Sequence, residues 1–172
     1  RPLLQSLNLS RTKVGDASVR QLLRQCPELR SIYLAGCLAV TDVSLSSLAL
    51  HGRSSRLQEV HLTGCHEISD TGLRDMAYAC PRLEVLVLNH CDATDAAISD
   101  IATSCTGLIQ IQVVGCGGVG DASVIALAES CPQLTRADLR GCSNVTETAI
   151  SAMERMLPEC KLMVNGMLRN IW

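Results

Sequence analysis

The chain has 172 residues, 47% of them hydrophobic and 19% charged, with a formal net charge of −2. That is enough for one domain with a substantial core and too apolar for a disordered chain, and the charge gives no electrostatic case for nucleic acid or an anionic membrane surface. Tyr33, Tyr78 and Trp172 are the only aromatic residues and Phe is absent, so Leu, Ile, Val, Ala and Cys must build the core, which suits thin, regular layers.

The first predicted element is a short strand in LQSLNLSRT, from Leu4. Its leucines alternate with period two and so point one way. Beyond Asp16, the residues Val19, Leu22, Leu23 and Cys26 fall at i, i+3, i+4 and i+7, the stripe of an amphipathic helix that Pro27 ends. The strand phrase then returns as LRSIYLAGC from Leu29, LQEVHLTGC from Leu57, LEVLVLNHC from Leu83, LIQIQVVGC from Leu108 and LTRADLRGC from Leu134. In the second copy Ile32 and Leu34 are expected inward, and Ser31, Tyr33 and Ala35 outward. An acid follows each start by 12 or 13 residues: Asp16, Asp42, Asp70, Asp95, Asp121 and Glu147. Each is expected to cap its own helix, its carboxylate accepting the free amide hydrogens of the first turn. The helical stripe recurs as Leu73, Met76, Ala77, Cys80 and as Val124, Leu127, Ala128, Cys131. Self-similarity at a period of about 26 residues is the mark of a solenoid, in which the strand of each repeat pairs in parallel with the next.

These residues resemble the cysteine-containing leucine-rich repeat, C-P-x-L-x-x-L-x-L-x-x-C-x-x-(I/V)-T-D-x-x-L-x-x-L-A, best known from F-box/LRR proteins. The resemblance covers Leu3 to Cys160. Departures are Thr12 for Cys, Thr106 for Pro, the insertion HGRSSR from His51, and PECKLMVNG, which keeps Pro158 but loses the leucines. The expected fold is an α/β leucine-rich-repeat solenoid, a horseshoe arc with parallel β-strands on the concave side and α-helices on the convex side. Residues 1–172 form one such domain of six repeats plus a degenerate unit at 158–172. The chain starts at Arg1, directly in a strand with no polar cap, so it is expected to be a piece of a longer protein. The tail KLMVNGMLRNIW reads as apolar and irregular, closing the last layer or docking on a partner through Trp172.

The repeat explains the ten cysteines. No C-x-x-C pair is present, so neither zinc nor thioredoxin-like chemistry is indicated. Cys37, Cys65, Cys91, Cys116 and Cys142 fall at the turn leaving each strand, and Cys26, Cys80, Cys105 and Cys131 finish the helical stripes. All are expected to pack as small buried thiols, and free thiols on this scale point to a reducing compartment, cytoplasm or nucleus. The sequons at Asn8 and Asn144 are set aside as chance triplets.

Two motifs invite an enzymatic reading. GCGGVG, from Gly115, matches the dinucleotide fingerprint G-x-G-x-x-G, with Asp138 placed like a ribose-binding acid. It also aligns with GCLAVTD, GCHEISD and GCSNVTE, which makes it the ordinary turn of the fifth repeat. A carboxylate at that helix end, Asp121, would repel a pyrophosphate. Of the four histidines, His61 alone is expected on the open face, with Glu59 beside it. A shallow sheet excludes little water, so that pair reads as a contact rather than an acid–base couple. No catalytic residue, metal or cofactor is expected, and no small-molecule ligand.

The open face should carry three outward columns: Ser6, Ser31, Glu59, Val85, Gln110, Arg136; then Asn8, Tyr33, His61, Val87, Gln112, Asp138; then Ser10, Ala35, Thr63, Asn89, Val114, Arg140. Three outward valines flanked by Tyr and Arg have the composition of a protein-binding hot spot. The candidate partner-binding residues are Tyr33, Glu59, His61, Val85, Val87, Gln112, Val114, Arg136, Asp138 and Arg140. The resemblance implies the substrate-recognition region of a cullin-type ubiquitin ligase, with a Skp1-like adaptor bound through an F-box outside these 172 residues. The alternative is a scaffold subunit of a large assembly such as the ciliary nexin–dynein regulatory complex. Neither nucleic acid nor membrane is expected as a partner.

Overall fold

The computed structural model describes residues 3–50, 56–165 and 167–169. Strands and helices alternate along the chain: β1 (Ser6–Asn8), α1 (Asp16–Gln25), β2 (Ser31–Tyr33), α2 (Asp42–Leu50), β3 (Glu59–His61), α3 (Asp70–Ala79), β4 (Val85–Val87), α4 (Asp95–Ser104), β5 (Gln110–Gln112), α5 (Asp121–Ser130), β6 (Arg136–Asp138), α6 (Glu147–Met156), β7 (Lys161–Val164) and β8 (Met167–Arg169). The strands form one sheet in chain order, β1 to β8. Each of β1 to β6 pairs in parallel with its successor, in the register that aligns equivalent repeat positions, as in Asn8↔Tyr33, Tyr33↔His61 and His61↔Val87. This is the leucine-rich-repeat solenoid expected from the sequence.

The core lies between sheet and helices. Ile32, Val60, Leu86, Ile111 and Ala137 point inward from the strand centres and are buried, as are Leu73, Met76, Ala77 and Val124, Leu127, Ala128 from the helices. In α1 the stripe is less complete: Val19 and Leu23 are buried, whereas Leu22 keeps partial exposure. Helices end where predicted. Cys26, Cys80 and Cys131 are the C-caps of α1, α3 and α5, each followed by Pro, and Leu157 before Pro158 closes α6. Proline disfavours helical geometry in the residue before it. Cys105 caps α4 in the same way although Thr106 follows, so proline assists the stop but is not required for it.

All ten cysteines are free and buried, including Cys160. Those at the strand exits donate to carbonyls one repeat back: Cys37 to Leu9 at 3.1 Å, Cys65 to Leu34 at 3.2 Å, Cys91 to Leu62 at 3.1 Å, Cys116 to Leu88 at 3.1 Å and Cys142 to Val113 at 3.1 Å. A thiol is small enough for the stacked turn and still a donor, so the column stitches successive coils. Directly before it, the chain must turn sharply into a left-handed conformation. Gly36, Gly64, Gly115 and Gly141 adopt it at φ of 70°, 70°, 73° and 77°, and Arg11 and His90 hold the same position at 61° and 57°.

The acids correct the sequence reading. Asp16, Asp42, Asp70, Asp95 and Asp121 are the first helical residues rather than the caps. In α3 and α4 the cap is the preceding hydroxyl, Ser69 accepting from Thr71 N–H and Thr94 from Ala96 N–H. Each carboxylate instead reaches the following repeat. Asp16 accepts from the amide and hydroxyl of Thr41 and from Ser44, and Asp42 from the amide and hydroxyl of Ser69. Asp70 does the same to Thr94, Asp95 to Gly120 and Ser123, and Asp121 to Thr146. Parallel stacking sets each helix start beside the next, where unpaired N–H groups attract a carboxylate.

The tail is also more regular than expected. In KLMV, Leu162 and Val164 are buried while Lys161 and Met163 face outward, and β7 continues the parallel sheet. β8 then folds back antiparallel on β7, ending the repeat pattern with a hairpin. His51 and Trp172 lie outside the described residues.

Candidate functional site

The concave face is built by strand pairing. Register carries Ser31, Glu59, Val85, Gln110 and Arg136 into one row and Tyr33, His61, Val87, Gln112 and Asp138 into the next. The third row follows the strands, where amides bond across to the neighbouring repeat, as from Gly64 to Asn89 and from His90 to Val114. The sequence columns therefore correspond to physical rows, extended by Lys161 and Met163 of β7.

Within this face the candidate residues separate into three groups. At one end, Tyr33 and His61 stack with ring centroids 4.5 Å apart and an interplanar angle of 36°. His61 Nε2 lies 2.8 Å from Glu59 Oε1. Burial raises the Tyr33 phenol, and the hydrogen bond to Glu59 raises it further. Burial alone would raise Glu59 too, but bonds from His61, Tyr33 and Ser31 outweigh it and hold the carboxyl below its ordinary value. The cluster is thus locked with Glu59 ionised, which suits a rigid contact point better than a proton shuttle.

In the centre, Val85 and Val114 are half-buried, whereas Val87 is only 4% exposed. The expectation of three available valines is therefore corrected to two, since burial leaves Val87 almost no surface to offer a partner. Asn89, which the sequence reading placed in its column but not in the site, donates to Gln112 Oε1 at 3.1 Å and accepts from Val114 N–H at 2.9 Å. It fixes the orientation of the Gln112 amide.

At the other end, Asp138 is buried and grips Arg140. The arginine donates through Nε to Oδ1 at 2.8 Å and through Nη2 to Oδ2 at 2.7 Å. Arg140 lies two residues past Asp138, in the turn just beyond the end of β6, where its side chain reaches back to the carboxylate. The fork neutralises Arg140, whereas Arg136 is exposed and without an ion-pair partner among the described residues.

The fingerprint loop is absorbed by the repeat. Gly115 takes the left-handed turn, and a Cβ on Gly118 would lie 2.9 Å from Ala93 O. Gly120 and Ser123 at the start of α5 donate to Asp95 of the previous repeat, so a foreign carboxylate already occupies the helix end. Asp121, expected there, turns to Thr146 instead. His90 is exposed in its left-handed turn while Cys91 is buried, so they form no nucleophile pair. Burial pushes thiols up, Cys105 to about 12 and Cys91, Cys131, Cys142 and Cys160 to about 11, which keeps them protonated and unreactive. Among the described residues no group of three His, Cys, Asp or Glu side chains is placed to hold a metal ion, and no helix is long and apolar enough to cross a membrane.

Comparison with known proteins gives the same picture. Residues 54–77 match the family described as Leucine Rich repeat. F-box/LRR-repeat protein 4 of Bos taurus is 25% identical over 109 residues, 63% of this chain and 18% of that protein. F-box/LRR-repeat protein 12 of Arabidopsis thaliana is 30% identical over 111 residues, 64% of this chain and 28% of that protein. Among solved structures, a chain from the crystal structure of the Rad7 and Elc1 complex in yeast superposes with a TM-score of 0.75 at 21% identity, covering 91% of this chain and 42% of that one. The chain thus spans less than a third of the length of these two curated relatives, and the structural likeness at that identity concerns the fold. Its parallel register and stitched cysteine turns are those of a leucine-rich-repeat solenoid, and its sequence is similar to those of F-box/LRR-repeat proteins.

Proposed function

We propose that this chain is the substrate-recognition region of an F-box-type ubiquitin ligase and that its concave face holds a protein partner. Its coarser role, a leucine-rich-repeat module for protein–protein interaction, follows from the repeat itself. The finer reading is supported by the kinship with F-box/LRR-repeat proteins and carried by one observation. The concave face presents a locked Tyr33–His61–Glu59 cluster and a half-buried Val85–Val114 centre, side chains already ordered before any partner arrives. Preordered aromatic and apolar anchors lose little entropy on binding. In this reading the chain is non-catalytic, an adaptor of the Skp1 type binds elsewhere in the full protein, and ten free buried thiols belong in a reducing compartment.

The test uses the full-length protein, affinity-purified from cells under proteasome inhibition, beside a Val85→Glu/Val114→Glu variant. Those positions keep partial exposure to water, whereas Val87→Glu would bury a charge and test folding instead. A Skp1-like adaptor should be recovered with both forms. A substrate should be recovered with the unmodified protein and lost from the variant. Absence of the adaptor from both overturns the ligase reading. Equal recovery of every bound protein by both forms overturns the concave site.

A further inference from the structure

Of the two arginines on the concave face among the described residues, Arg136 alone is free of an ion pair, and the fold sets beside it a second cation that the sequence pattern hid. Arg140 is held by both oxygens of Asp138. Arg136 is exposed, and its registered neighbour on β7 is Lys161, also exposed. Neither cation has an ion-pair partner among the described residues. They sit on adjacent strands, about 4.8 Å apart at the backbone. On the same row, one strand beyond Arg136, lies Gln110, whose amide makes no side-chain hydrogen bond among the described residues, and one strand further lies half-buried Val85. The row therefore runs apolar, neutral amide, cation, cation.

We propose that the partner segment is acidic and crosses the strands along this row. Its aliphatic side chain covers Val85, its backbone meets the Gln110 amide, and its carboxylates lie on Arg136 and Lys161. This rests on the concave-face reading above and adds the chemistry of the occupant. Two like charges on neighbouring strands repel one another, so an added anion gains from both. An amide side chain both donates and accepts, which matches a peptide backbone. Val85 and Arg136 are two strands apart, about 10 Å, and an extended chain advances about 3.3 Å per residue, so the aliphatic and acidic side chains stand about three residues apart in the partner.

The probe is a phage-displayed library of random twelve-residue peptides panned on the whole chain. Enriched sequences should pair an aliphatic residue with Asp or Glu about three positions away. A synthetic copy of the leading sequence, followed by fluorescence anisotropy, should bind about tenfold more weakly to Arg136→Glu/Lys161→Glu and weaken as NaCl rises from about 50 to 500 mM. It should be unaffected by Arg74→Glu on the exposed face of α3. Circular dichroism and urea midpoints confirm that the variants fold. Peptides without acids, affinity unchanged in the double variant, or no enrichment overturns the proposal. Peptides that are lost with Val85→Glu/Val114→Glu but ignore the cation reversal leave the concave site standing and overturn only its acidic occupant. Peptides that ignore both overturn both.

Discussion

Replacing Asp95 by Ala tests the acid ladder that joins the repeats. Asp95 Oδ1 accepts from Gly120 N–H at 2.8 Å, from Ser123 N–H at 3.0 Å and from the Ser123 hydroxyl. Gly120 and Ser123 are buried, so water cannot simply replace the lost acceptor. Burial raises the Asp95 carboxyl, but these three bonds together bring it below its ordinary value. The hydroxyl can rotate to another acceptor, whereas the two amides cannot. At roughly 1–3 kcal/mol for each stranded buried donor, the substitution should cost about 3 kcal/mol. Asp95→Asn keeps an acceptor oxygen and loses only the charge at the helix start, about 1 kcal/mol. Asp92→Ala, at an exposed turn residue, should cost less than about 0.5 kcal/mol. Equilibrium urea unfolding followed by far-ultraviolet circular dichroism measures all three. Because a solenoid couples mainly to its neighbours, hydrogen exchange should quicken first at the start of α5. The sign with pH follows from the lowered pKa. The bonus is complete above the unfolded value near 3.8 and fades as pH falls through the lower folded value, and the Ala variant should lack that part of the acid limb. An Asp95→Ala cost equal to that of Asp92→Ala would refute the ladder.

The thiols make an alkaline prediction. Burial raises the folded pKa of Cys65, Cys91, Cys105, Cys116, Cys131, Cys142 and Cys160 from the ordinary 9.0, that of Cys91, Cys131 and Cys142 to about 11, so the stability they contribute is complete below pH 9 and falls as pH rises toward 11 while the unfolded chain ionises first. Under reducing conditions the urea midpoint should drop between pH 8.5 and about 10.5, and a thiol reagent at pH 8 should label all ten cysteines in denaturant but almost none in the folded chain. Ready labelling of the folded chain would contradict the packing role. In the GCGGVG turn, Gly117→Ala should be nearly neutral, since nothing lies within 4 Å of its Cβ, whereas Gly118→Ala should cost about 2 kcal/mol against Ala93 O at 2.9 Å. Thermal unfolding of the pair decides it, and equal effects would return the loop to a ligand-cradle reading.

Whatever can be read from the residues alone is periodic. The LxxLxL phrase, the helical stripes and the Cys-Pro stops are local, and six in-phase copies with near-constant spacing leave one way to stack them. That stacking names the inward leucines and the three outward rows without reference to coordinates. β7 carries the same alternation, Leu162 and Val164 against Lys161 and Met163, but without the LxxLxL phrase the tail reads as irregular in the sequence. Where polar groups go is fixed only once the coils lie side by side. An acid followed by a helical pattern reads as a cap in any one repeat. That Asp95 serves the next helix instead depends on a neighbour 25 residues away in sequence. The same holds on the concave face. Val87 and Val114 are equally outward by period, but the folded chain buries the first and leaves the second partly exposed. Arg136 and Arg140 are equally cationic, yet Asp138 claims one and register sets Lys161 beside the other. Periodicity specifies which way a side chain points, whereas hydrogen bonding and charge pairing depend on atoms a few ångströms apart across strands, a distance no one-dimensional pattern encodes.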